Sequence, residues 1–163
     1  MEIKNIFQIK DLRLIVICLG LLLCFNFSRV VGDFMLSSGM PFLLTYHVVI
    51  LLSNVLPLFL IFLGFRKISP LAGFCIVFLI ACPGTIFADI VVFRAPPELL
   101  AIPAYLPNLI IVSVLLAVFA AGIAFLDRKR NAGLVLISVS TTLYLINLGI
   151  AIFPMIFGNL GGG

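Results

Sequence analysis

Five side chains able to carry charge interrupt the apolar runs of this chain: Arg29, Asp33, His47, Asp89 and Arg94. In CFNFSRVVGDF, Arg29 and Asp33 stand four positions apart, the spacing at which an arginine and a carboxylate meet on one helix face. His47 is the one histidine, and an imidazole exchanges its proton near neutral pH. Groups of these types gathered at one depth could pair as ions, bind a cation or pass a proton. They could equally anchor helix ends and tether helices to one another. A single histidine cannot supply both axial ligands of a bis-histidine haem, which would need a methionine or a second chain. His47 is left with three readings: a proton-responsive group, a quinone contact, or a hydrogen bond to a neighbouring carbonyl or carboxylate.

Other chemistries lack their residues. Cys18, Cys24, Cys75 and Cys82 fall inside apolar segments without CxxC spacing, so they read as small buried hydrophobes, and no metal site is expected. There is no glycine-rich phosphate loop with its lysine, no HExxH and no serine or cysteine triad. A self-contained hydrolase or ATPase is disfavoured.

The elements that position the charged groups follow from composition. Of 163 residues, 64% are hydrophobic and 10% charged. A soluble domain of this size leaves roughly a third of its unfolded surface exposed and could not hide so much apolar area. Lipid is then the solvent, and apolar runs of about 20 residues select helices over barrel strands. The expected fold is all-α, a polytopic integral membrane helical bundle forming one transmembrane domain. Its five spans lie near 13–34, 42–64, 71–94, 105–126 and 132–157. The run after Arg13 outlasts the apolar core of a cleaved signal peptide.

Charge orients the bundle. Lys4, Lys10, Arg13, Arg66, Lys67, Arg128, Lys129 and Arg130 are eight of the ten lysines and arginines, and all fall at alternate ends of the spans. The positive-inside rule makes that side cytoplasmic, with the amino terminus inside and the carboxyl terminus outside. This accounts for the net charge of +4 without a nucleic-acid partner. Counting from Arg13, Arg29 lies about 24 Å and Asp33 about 30 Å along the first helix, at the outer headgroup level. His47 opens the second helix from outside. Asp89 falls about 8 Å inside the outer end of the third, deep enough to require a partner, a proton or a polar cavity.

Pro57 interrupts the second span, and Pro83 and Gly84 the third, as candidate hinges beside a polar cavity or as ordinary membrane-helix irregularities. Tyr144 and Asn147 stand one turn apart in the last span, placed to bond another helix. The stretch AVFAAGIA offers Ala117, Ala121 and Gly122 for close helix packing. Prolines at 96, 97, 103 and 107 mark an irregular connection, and the tail GNLGGG closes the last span.

Three stretches, RLIVICLGLLLCFNFSRVVGDF, VLPLFLIFLGFRKISPLAGF and NLIIVSVLLAVFAAGIAFLD, resemble the DoxX-like membrane family, which includes small subunits of quinone-linked oxidoreductases. The resemblance covers about the first 130 residues and rests mainly on hydrophobic spacing. Family members usually have four helices, and the fifth span here departs from that pattern. The resemblance implies a membrane component linked to quinone chemistry and electron transport, and it identifies no catalytic residue. Separately from it, no cofactor is expected on this chain alone, and a complex leaves quinone or haem open. Two readings follow. One is a small subunit that scaffolds or assists a larger membrane complex, respiratory or quinone-linked if the resemblance holds, with other membrane subunits or further copies of itself as partners. The other is a small-solute or ion transporter using the outer-half polar cluster. Either places the chain in a prokaryotic plasma membrane.

Overall fold

A computed structural model describes residues 9–38, 42–92 and 105–157, with side chains over 12–27, 52–91 and 105–150. The described chain is all-α and contains five helices in sequence. Helix α1 is Ile9–Ser38 and α2 is Phe42–Gly64. The third, α3, starts as Pro70–Leu79, widens into a π segment at Ile80–Gly84, makes one α turn over Thr85–Phe87 and widens again at Ala88–Val92. Helices α4, Tyr105–Phe125, and α5, Arg130–Phe157, complete the bundle. Helix α1 begins four residues before Arg13 and takes in Ser37 and Ser38. Pro107, read from sequence as part of the connection, lies in the first turn of α4, where a missing amide hydrogen costs no helical bond. The rest of that connection, 93–104, and the tail GNLGGG lie outside the described residues.

Three helical stretches are long and apolar enough to cross a membrane: Pro70–Val91, Tyr105–Phe125 and Arg130–Ile150. Helices α1 and α2 add the shorter apolar stretches Leu12–Phe27 and Leu52–Gly64. Large apolar side chains such as Leu19, Leu23, Phe59, Leu71, Phe87, Val135 and Ile150 point outward. Contiguous apolar exposure on this scale belongs in hydrocarbon, where such residues meet a solvent as apolar as themselves. The interior is a seam of Leu21, Ile61, Phe65, Val77, Leu116 and Ile123, with Ala117 and Ala120 letting the backbones approach.

The turns are built from local chemistry. After α2 ends at Gly64, Phe65 tucks into the core while Arg66 and Lys67 stay exposed. The Ser69 hydroxyl then caps α3 by accepting from the Ala72 amide at 3.2 Å, and Pro70 occupies the first helical position. Between α4 and α5 the amides of Arg128 and Lys129 both return to the Phe125 carbonyl, at 2.9 and 2.7 Å. These two turns lie side by side, since Arg66 Nε donates to Asp127 Oδ1 at 2.9 Å. Arg13 Nη2 reaches the Leu63 carbonyl at 2.8 Å, which brings the start of α1 to the same place. Arg13, Arg66, Lys67 and the Arg128–Arg130 run therefore share one end, called here the basic end. The Arg66–Asp127 pair is more than half exposed on the arginine side, so Arg66→Gln is expected to lower stability by no more than about 1 kcal/mol. Thermal unfolding in detergent checks this.

Helices α4 and α5 meet through glycine. A Cβ built on Gly133 would lie 2.8 Å from the Gly122 carbonyl oxygen and 3.0 Å from the Leu126 amide nitrogen. One built on Gly122 would lie 3.1 Å from the Ile137 nitrogen. Ala117, Ala120, Gly122 and Ala124 are buried and Ala121 only partly so, with Gly73 of α3 lying against the Ala120 carbonyl.

Candidate functional site

Polar side chains inside an apolar bundle must find partners, because water is not there to supply them. Among the described residues, these partnerships include three contacts between helices, one of them on an exposed face. The Tyr105 hydroxyl of α4 donates to Asp89 Oδ2 of α3. Asn147 Nδ2 of α5 donates to Asn108 Oδ1 of α4 at 3.1 Å. The Tyr144 hydroxyl of α5 is shared between the Asn54 carbonyl oxygen and Asn54 Oδ1 of α2, each at 3.0 Å. Tyr105 and Asn108 are one turn apart on α4, and Tyr144 and Asn147 one turn apart on α5. The three contacts thus form a stepped polar string from α3 through α4 and α5 to α2.

Helical rise gives the string its direction. Tyr105 opens α4 at the end opposite the basic one, and Asn108 lies about 5 Å further in. Tyr144 lies about 21 Å from the start of α5 at the basic end, and Asn54 about 15 Å from the basic end of α2. The string therefore descends from the far end toward the middle of the bundle. Its most enclosed members are Asp89 at 1% exposure and Tyr144 at 2%.

A proline inside a helix stands near each end of the string. Buried Pro57 stands three residues after Asn54 in α2. Pro57 has no amide hydrogen to offer the Ser53 carbonyl, and α2 stays α-helical through the turn containing Asn54. The Tyr144 hydroxyl is the cross-helix donor to that turn. In α3, Pro83 withholds a hydrogen from the Leu79 carbonyl, and the chain widens into π winding over Ile80–Gly84. Gly84 fits there closely: a Cβ on it would lie 3.2 Å from the Leu79 oxygen. Asp89 sits in the second π segment, where wider winding re-aims its side chain. Ser113 and Ser140 satisfy themselves locally, donating to the Leu109 and Leu136 carbonyls one turn back at 2.7 and 2.6 Å.

Of the charged cluster expected from sequence, Asp89 is described in full. The backbone at Arg29 and Asp33 is helical in α1, and at His47 in the second turn of α2. Their side chains, and Arg94 altogether, lie outside the described residues. The structure brings Asp89 to Tyr105, the first residue of the expected fourth span, which the sequence reading did not single out. The signal was available: an aromatic hydroxyl opening a helix at the end where the preceding helix buries a carboxylate. Asn108, the partner of Asn147, was likewise missed, being one asparagine in an apolar run. Among the described residues no group of three or more histidine, cysteine or acidic side chains could hold a metal.

Tyr144→Phe removes the shared hydroxyl and little else. It is expected to lower stability by about 1 kcal/mol. The reactivity of buried Cys24 and Cys82 toward a thiol dye during heating reads this directly, and an unchanged midpoint would mean that the contact contributes nothing.

No family model matches the chain, and neither a curated protein nor a solved structure matches it. The DoxX-like likeness therefore rests on hydrophobic spacing alone. What stands is the coarser description, an all-helical bundle with helices fit to cross a membrane.

Proposed function

We propose that this chain is a small integral membrane subunit of five spans that scaffolds or assists a larger membrane complex. The observation that carries this reading is the use made of the polar interior. Two part-buried cross-helix contacts and an exposed one, Asn147 to Asn108, tie four helices together, and Asp89, bonded by Tyr105, is 1% exposed. An interior spent on tethering suits a rigid element whose working surface is its outward apolar face. The positive-inside rule puts the basic end in the cytoplasm, with the amino terminus inside and the carboxyl terminus outside. A quinone-linked role is the narrower form of this reading, and organic extraction of the purified complex tests it.

Purification in gentle detergent at native expression level is the decisive measurement. Other membrane polypeptides are expected to co-purify in fixed ratio. A monodisperse chain with full activity of its own would overturn the reading.

A second reading, an ion-coupled carrier of small solutes, is favoured by one observation: a buried carboxyl group sits in a π-wound segment. Ionisable groups within membrane helices commonly mark ion or proton paths. Under this reading Asp89→Asn abolishes flux in reconstituted liposomes while leaving the protein folded. Undiminished flux would exclude Asp89 as the coupling group.

A further inference from the structure

At the basic end, between the start of α1 and the close of α2, lies a half-open cavity of about 530 Å³. Its mouth carries Arg13, Arg66 and Lys67, and its walls include Leu14, Phe62 and Ile68. We propose that this cavity binds the phosphodiester headgroup of an anionic glycerophospholipid, whose acyl chains lie along α1 and α2.

Three features point to a phosphate. Two of the three cations are arginines held in place by one contact each: Arg13 Nη2 on the Leu63 carbonyl and Arg66 Nε on Asp127. A guanidinium has five donors, so each contact fixes the side chain and leaves the remaining N–H groups for a planar or tetrahedral oxyanion. Lys67 adds a mobile charge. Among the described residues Asp127 is the one acidic side chain bonded to this group, so the described charges leave a net positive charge of two, three cations less one carboxylate.

Two further features favour lipid over a soluble anion. The site opens where the apolar bundle meets water, the level of lipid headgroups. Its apolar walls also continue onto outward-facing side chains, with Leu12, Ile15 and Val16 on α1 and Phe59, Phe62 and Leu63 on α2 all exposed. A soluble phosphate would gain nothing from that surface, whereas acyl chains would cover it. Beneath it the helices are closely joined, since a Cβ on Gly64 would run into the Ile17 side chain. The groove is therefore a surface feature of a packed pair.

The full-length protein in neutral detergent is titrated with phosphatidylglycerol, phosphatidylcholine or inorganic phosphate, and lipid retention is followed by native mass spectrometry alongside thermal unfolding. Phosphatidylglycerol is expected to be retained and to raise the midpoint, with phosphatidylcholine and phosphate without effect. Lys67→Gln and Arg66→Gln should each weaken retention about fivefold. Lys129→Gln, an equal charge change at the same end but outside the cavity, should not. Equal weakening by Lys129→Gln would reduce the effect to diffuse surface charge and overturn the site. Equal retention of both lipids would also overturn it, and displacement by millimolar phosphate would reassign the cavity to a soluble anion. The comparison of lipids on the unaltered protein decides the matter even if a variant fails to fold.

Discussion

Gly133→Leu is expected to prevent accumulation of a folded bundle, and Gly133→Ala to lower its stability by about 1–3 kcal/mol. The atoms facing Gly133 are backbone, the Gly122 oxygen at 2.8 Å and the Leu126 nitrogen at 3.0 Å from an added Cβ. Backbone cannot rotate away as a side chain can, so α5 must retreat from α4 or the turn between them must open. Alanine has the better helix propensity by about 1 kcal/mol, which opposes the loss without cancelling it. Gly149 in the same helix supplies the internal control, having nothing within 4 Å of an added Cβ. Gly149→Ala is expected to be neutral or slightly stabilising. Size-exclusion profiles and thiol-dye melting distinguish the two. Equal behaviour of both alanine variants would show that the α4–α5 contact is looser than the geometry describes.

The helical class was legible from the lengths of the apolar runs, because lipid forces every backbone hydrogen bond inside the segment and only a helix achieves that over about 20 residues. The gathering of Arg66 and Asp127 at one end was legible too, since alternate connections of a bundle must lie on the same side. Pairing was less accessible. Asp89 is conspicuous as a carboxylate in an apolar run, yet nothing in its own segment names Tyr105. That contact depends on how α3 and α4 are rotated about their axes, which a uniformly apolar helix leaves undetermined because it has no distinctly polar face to orient. For the same reason AVFAAGIA announces a close contact but does not say whether Ala120 or Ala121 faces it. Pro83 marks a disturbance in the third span. Its resolution as two π segments, with the second carrying Asp89, depends on packing that a single proline does not encode.

Tyr105→Phe is expected to lower stability by about 1–3 kcal/mol, more than Tyr144→Phe, because the acceptor it deserts is a buried carboxyl group rather than an amide. Asp89→Asn preserves size and an acceptor oxygen for the hydroxyl, so it should be the milder change. Asp89→Leu removes the group that needs a donor. Combined with Tyr105→Phe it should cost less than the two single changes added, since apolar groups replacing both partners leave nothing unsatisfied between them. A coupling of about 1 kcal/mol or more in this double-mutant cycle is the expected result, read from thiol-dye melting of all four proteins. Additivity within about 0.5 kcal/mol would mean that the two residues act independently, and the polar string would then begin at Asn108. The cycle also bears on function. A pair that matters to stability alone, with Asp89→Asn silent in every flux assay, belongs to a scaffold, whereas a stable Asp89→Asn protein that has lost flux belongs to a carrier.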